Sequence, residues 1–450
     1  MTTSVADATI ASVNVLGDHG EQLRQALTAT AGLRPPGAGF EPAFALPEPT
    51  DRLAEFFAVT DLRFAGLGTV GDTRLVLLDL MGNPGTRTVK TLASHVIVAR
   101  AVRHIDSTGE AVMILTPSSA NKATALRDAV LRAYRTGLAT PGQLRIVTVV
   151  PDAARPKLWQ SDLDDDPYLA ARNPMCVLDR EHPEHVKTVA VQAMEGHERL
   201  FNRYGFRLWH TLDLDNYRCA DAVRAFAEDA ALPLERGAVR VHAHAVSSAF
   251  GLLGHHFGTT LLPERPAPPQ YFLVQHLATP DMVQSLYGTP PPEYRADAAT
   301  GLYHQDEDPR YPYTTFSPAE ELETTFYTRT PTTSRAMNEI IRANGGGGVV
   351  VSLHECLTRY GEIRALLARG GTRLPADPRA LREWSLAMVT AGVLNGIDRG
   401  LIRADEVVVH ASGSYGEGDF APLPERSVRD VGGAEDVRRA VLDAAAAGTG

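Results

Sequence analysis

From residue 73 the chain alternates short apolar runs with longer segments whose apolar positions recur every three or four residues. TRLVLLDL (73–80) predicts a strand, VKTLASHVIVARAVRHI (89–105) a helix and AVMILTP (111–117) a second strand. NKATALRDAVLRAYRTGL (121–138) then predicts an amphipathic helix and LRIVTVVP (144–151) a third strand. Such alternation implies βαβ units around a parallel sheet, which meets ligands at the carboxyl ends of its strands. Lys90 and the turn TPSSANKA fall at such ends.

The pattern returns further on. GAVRVHAHAV (237–246) has strand character, and PPQYFLVQHLATPDMVQSLYG (268–288) reads as strand, turn and helix. After a proline- and tyrosine-rich loop come SRAMNEIIRA (helix), GVVVSL (strand), SLAMVTAGVLNGIDRGLI (helix) and EVVVHASGS (strand and turn). The loop, GTPPPEYRADAATGLYHQDEDPRYPYTTFSP, is long enough to serve as a functional cover or an oligomer arm. The expected organisation is an N-terminal arm (1–50) made extended by its Pro and Gly content, an α/β domain (51–200), a second α/β domain (201–430) and a C-terminal tail (431–450) read as a surface helix.

Composition narrows the partners. With a formal net charge of -10 and no dense Lys/Arg block, the chain is not built to cover nucleic acid or an anionic membrane, and small molecules are the expected partners. The first residues lack the basic start and apolar core of a secretory signal, and no apolar run approaches the roughly 18 residues of a membrane span. A cytoplasmic location is expected. Three scattered cysteines, Cys176, Cys219 and Cys356, suggest buried thiols rather than disulfides or a cysteine-rich zinc site.

The 44 basic residues comprise four lysines, Lys90, Lys122, Lys157 and Lys187, and 40 arginines. A chain that writes nearly every cation as arginine keeps Lys90 directly after an apolar strand and a Pro-Gly turn. A guanidinium stays protonated and cannot act as a nucleophilic amine, whereas a desolvated lysine beside a helix start can lose its proton. The competing reading is a lysine whose stem packs on the surface while its ammonium stays in water.

Four stretches, taken in order, resemble the fold-type II pyridoxal-phosphate (PLP) enzymes of the tryptophan synthase β superfamily, and among them the threonine synthases. They are LLDLMGNPGTRTVKTLASHVIVARAV, VMILTPSSANKATALRDAV, YFLVQHLATPDMVQSLYG and GIDRGLIRADEVVVHASGSYG, which together span residues 75–160 and 268–418. The resemblance implies two parallel-sheet α/β domains with the cofactor site between them. It further implies a homodimer whose small-molecule substrate is an amino acid.

By the same resemblance Lys90 holds the cofactor, and Asn121 reaches its 3'-oxygen. Ser118, Ser119 and the N–H groups of the following helix hold the substrate carboxylate, with Lys122 within reach of the same pocket. A Ser/Asn helix cap would use the same SSAN residues, and both roles are compatible. Ser412, with Ser414 as the alternative, stands where the family meets the pyridine nitrogen with a neutral hydroxyl, a choice that favours elimination or replacement over transamination. HLATPDM stands where the family has its glycine-rich phosphate loop. It contains no glycine, which leaves Thr279 and the N–H groups after Pro280 for the phosphate.

The expected function is therefore β- or γ-elimination or replacement on an amino acid with a phosphorylated or acylated side chain, in specialised biosynthesis. The alternative is a pseudoenzyme of this fold that binds a ligand or a partner protein. The run Gly345–Gly348 lies between a helix and a strand, the wrong order for an anion cradle. His242 and His244 share a strand face, and His255 and His256 follow. With no carboxylate or cysteine seen to complete a metal site, they are expected to be packed or hydrogen-bonded.

Overall fold

A computed structural model describes residues 9–33, 39–179, 183–195, 203–211, 213–264, 268–326 and 328–448. The chain forms two compact units built from interleaved segments: the first takes the chain up to residue 13, 61–82 and 221–418, the second 14–60, 83–220 and 419 onward. The sequence suggests consecutive domains instead. Interleaving arises because the strand at 73–79 pairs with one more than three hundred residues later, an association that apolar periodicity does not encode.

The first unit holds a seven-stranded sheet of β1 (Thr9–Asn14), β2 (Asp61–Val70), β3 (Thr73–Asp79), β8 (Arg240–Ala245), β9 (Gln270–His276), β13 (Gly346–Val351) and β14 (Glu406–Ala411). Its order is β1-β2-β3-β14-β8-β9-β13. From β3 to β13 every pairing is parallel, so five carboxyl ends share one edge. The helix Ser385–Asp398, buried from Ser385 to Gly396, lies against these strands. Its Gly392 is needed for that approach, because a Cβ there would sit 2.5 Å from the Val274 methyls.

The second unit holds a five-stranded parallel sheet of β4 (Ala111–Pro117), β5 (Leu144–Pro151), β6 (Met175–Leu178), β7 (Phe206–His210) and β15 (Val428–Val431), in the order β15-β6-β5-β4-β7. The helices Lys90–Thr108 and Asn121–Arg135 pack against each other. Residues 431–450, expected to form a tail with a surface helix, instead supply the last residue of the edge strand β15 and the helix Ala434–Ala446. That helix buries Val437, Ala440, Val441, Ala444 and Ala445 in the core.

The expected N-terminal arm is extended only in part. Val15–Leu33 is a helix kinked at His19, and the extended stretch follows it. Arg100, fully buried, clamps that stretch: its Nε donates to the Ala43 carbonyl at 3.1 Å, its Nη2 to Glu41 at 3.0 Å, and its guanidinium lies 3.5 Å from the Phe44 ring centroid. The tyrosine-rich loop is tied into the first unit. It carries a small antiparallel sheet of β10 (Arg295–Ala296), β11 (Tyr303–His304) and β12 (Thr314–Thr315), and Arg399 donates to the carbonyls of Pro309 and Tyr311.

Candidate active site

In the second unit the loop before Lys90 is locked by side chains. Asn83 donates to Asp128 at 2.8 Å and accepts from Gly85 N–H at 2.9 Å, while the hydroxyls of Thr86 and Thr91 meet at 2.6 Å. Asp128 and Arg132, which also reaches Asn83, belong to the helix that starts at Asn121. One network therefore ties the lysine-bearing helix start to the middle of the helix that follows the SSAN turn.

Lys90 is the first residue of its helix and is half-buried. Its Nζ lies 5.1 Å from the centroid of the Tyr217 ring, and Lys122 Nζ lies 5.7 Å from the same centroid. The two amines are thus at most about 11 Å apart by sum of those distances. Lys122 also donates to the carbonyl of Thr211, just past the end of β7. Desolvation, with smaller contributions from Lys90 and Lys187, lowers the Lys122 pKa to about 7. Beside it, burial and then the Lys122 charge push His210 down to about 4.

The SSAN turn does what a cap requires and more. Ser118 Oγ accepts from the N–H groups of Ala120 and Ala123 at 3.2 and 2.9 Å, so its oxygen serves the helix start. Ser119 and Asn121 flank Ala120 and are half-buried. Ala120 has φ 109° and ψ -68°, a conformation that an L residue adopts only under strain. The resembled family has glycine at this position.

In the first unit, Ser412 and Ser414 follow β14 at the carboxyl edge, Ser412 half-buried and Ser414 buried. The turn is stapled to the start of the helix Ser385–Asp398 by Leu386 N–H to the Gly413 carbonyl and Glu383 N–H to the Tyr415 carbonyl, each at 3.1 Å. Thr279 is placed differently. Its hydroxyl donates to the Phe326 carbonyl at 2.8 Å and lies 2.9 Å from His276 Nε2. The first N–H groups of the helix Asp281–Tyr287, on Met282 and Val283, both donate to the Gln275 side chain at 2.9 Å. The turn after β9 thus satisfies its own donors.

The turn after β8 offers a different opening. Val246–Ala249 directly follows β8, whose neighbour is β14, and His410 is paired with His244 one residue before the two turns diverge. Ala249 has φ 51°, and the 12-residue helix Phe250–Leu261 starts next. Among the described residues, no acceptor takes the N–H groups of Ser247, Ser248 or Ala249. Strand, turn with free N–H groups, then helix start is the order an anion cradle requires. VSSAFGLLG carries that signal in sequence, but without a run of glycines it reads as an ordinary turn.

The two parallel sheets with their helices define an α/β protein with the fold of threonine synthase: the chain is similar to threonine synthase from yeast, with TM-score 0.51 at 11% identity, covering 88% of this chain and 84% of that one. Over residues 11–445 it matches a family of unknown function, DUF6002, and it belongs to that family. Other similar structures are PLP-bound threonine synthase from Brucella melitensis (TM-score 0.48, 12% identity, 94% of this chain and 91% of that one) and cysteine synthase from Entamoeba histolytica (0.45, 13%, 91% and 99%). No curated protein matches the chain. Among the described residues, no helix is long and apolar enough to cross a membrane.

Proposed function

We propose that the chain is a PLP-dependent enzyme that eliminates or replaces a β- or γ-substituent on an amino acid whose side-chain hydroxyl is phosphorylated or acylated. The setting would be specialised amino-acid biosynthesis in the cytoplasm, with a homodimer as the working form. The observation that carries the reading is Lys90, held at a helix start by the Asn83 network beside a second amine, in a chain with the threonine synthase fold.

The proposal draws on side chains whose chemistry suits the cofactor. Lys90 supplies the amine, Asn121 an amide donor at the neighbouring helix start, and Ser412, or Ser414, a neutral hydroxyl. The untaken N–H groups of Ser247, Ser248 and Ala249 suit its phosphate better than Thr279, whose hydroxyl is already committed. Bound PLP would supply the electron sink that acidifies a substrate's α-carbon. Lys90 Nζ would hold and return the proton. Ser118, Ser119 and the helix N–H groups would orient a carboxylate. Lys122, with a pKa near 7, can give or take a proton at Nζ and attract an anionic leaving group.

Purified protein mixed with PLP should turn yellow, and borohydride should fix the adduct on Lys90, as read by peptide mass mapping. Lys90→Ala should remain colourless. A wild-type protein that shows no spectral change with PLP, or an adduct confined to Lys157 or Lys187, would sink the reading and leave the pseudoenzyme.

A further inference from the structure

At the other end of β8, away from the turns described above, a polar cluster is buried. Glu228, on the helix Val223–Ala231, receives the imidazoles of His242 from β8 and His255 from the helix Phe250–Leu261. His255 Nε2 lies 3.0 Å from one carboxylate oxygen and His242 Nε2 3.5 Å from the other. The three ligand-type atoms all lie within 4.8 Å of one another. Sequence alone shows the histidines but not the carboxylate, which arrives from a helix that periodicity does not link to them.

The geometry points to a binding site for a divalent transition-metal ion at Glu228, His242 and His255. Two imidazoles and one carboxylate form a donor set suited to zinc or a similar borderline cation, with further positions left for water or a ligand. The three residues line a cavity of about 560 Å³ at the amino ends of β8 and β9, walled by Leu232, Pro233 and Pro268, which supplies an entry path.

The surroundings of the site hold both rings by their far nitrogens. His255 Nδ1 lies 2.7 Å from the Tyr271 hydroxyl, and His242 Nδ1 lies 3.1 Å from His410 Nε2. Such partners orient metal-bound histidines. Arg240 holds the carboxylate, at 2.7 Å, but also bonds Glu406 at 2.6 Å, so two carboxylates share one guanidinium.

Without metal the protons are assigned by the donors. Arg224, which can only donate, faces His410 Nδ1 at 3.2 Å, so His410 carries its proton on Nε2 and passes a hydrogen bond to His242 Nδ1. His242 and His255 then each point an Nε2 proton at Glu228. On metal binding each of the three rings keeps one proton and moves it from Nε2 to Nδ1. His255 then donates to the Tyr271 oxygen and His242 to His410 Nε2. The losses are the Arg224–His410 hydrogen bond and the two Nε2 contacts to Glu228, against three new coordinate bonds.

The test uses the full chain, stripped of metal by chelator dialysis and titrated with Zn²⁺ in a calorimeter, without PLP. A single site is expected. Glu228→Gln and His255→Asn should each weaken it more than about a hundredfold, and Tyr271→Phe, which removes only an orienting partner, by about tenfold. His256→Asn, next to the site but outside it, should bind as wild type. Should the ligand variants fail to fold, Co²⁺ added to the wild-type chain decides: intense visible bands of a low-coordinate nitrogen and oxygen site, abolished by Zn²⁺, support the assignment. Wild-type protein that takes up no Zn²⁺, binding unchanged in folded Glu228→Gln and His255→Asn, or a Co²⁺ spectrum like that of the aqueous ion overturns it.

Discussion

Lys90 and Lys122 face one aromatic ring, with their Nζ atoms 5.1 and 5.7 Å from the Tyr217 centroid. In a chain with four lysines, two share a single tyrosine. For Lys122 the arrangement weakens the preference of the amine for its proton, chiefly because the enclosure withholds water and to a smaller degree because the Lys90 charge repels it.

A pH dependence of stability follows for Lys122. Its folded pKa, about 7, is below the ordinary value of 10.5, so between those limits the unfolded chain binds more protons. The penalty for burying this lysine is fully present below pH 7 and fades as pH rises toward 10.5. Thermal unfolding of wild type and Lys122→Met across that range should show wild type gaining on the variant as pH increases. Parallel curves would mean that the amine is solvated.

Ala120→Gly should stabilise the protein. The φ of 109° strains alanine by about 1–3 kcal/mol, partly offset by the greater freedom of glycine in the unfolded chain, for a net gain of about 1 kcal/mol. Urea unfolding measures it, and a loss of stability would show that the turn is not held in this conformation.

Gly346→Ala should be severe. Gly346 has φ 112°, and a Cβ would fall 2.0 Å from the Tyr271 carbonyl oxygen across the β13–β9 pair, a backbone atom that cannot step aside. A loss on the order of 3 kcal/mol is expected from equilibrium denaturation. Gly361→Ala, with open space around its Cβ, is the matched control and should differ little.

Arg100→Met should release the extended stretch that follows residue 39. Removing a buried guanidinium that bonds Glu41, Pro42, Ala43 and Asn216 should cost roughly 3 kcal/mol. Limited proteolysis should then cut near residues 40–48 much faster than in wild type. Unchanged cleavage would mean that other contacts hold the stretch.

The strands and helices legible in sequence were those with strong periodicity. AVMILTP and LRIVTVVP match β4 and β5 residue for residue, the helix read from Asn121 begins there, and the one read from Val89 begins one residue later, at Lys90. What escaped had a physical reason. β2 carries a register shift between Gly66 and Gly68, which breaks its alternation, and β6 and β15 are only four residues long. The helix Ala434–Ala446 reads as a surface element because alanine is a weak marker of burial, yet its small face is what lets it pack closely. Of the site, the lysine and the SSAN turn were visible as motifs. The turn after β8 and the arrival of Glu228 were not, because both depend on which strands and helices become neighbours.

β15 and the helix after it complete the sheet of the unit that holds Lys90 and Asn121, with Arg145 reaching the carbonyls of Ala444 and Ala445. β14 likewise lies between β3 and β8. Neither half can therefore close while the chain is still emerging from the ribosome short of these segments. A nascent chain short of them would wait with both sheets incomplete, each lacking a strand from a distant segment.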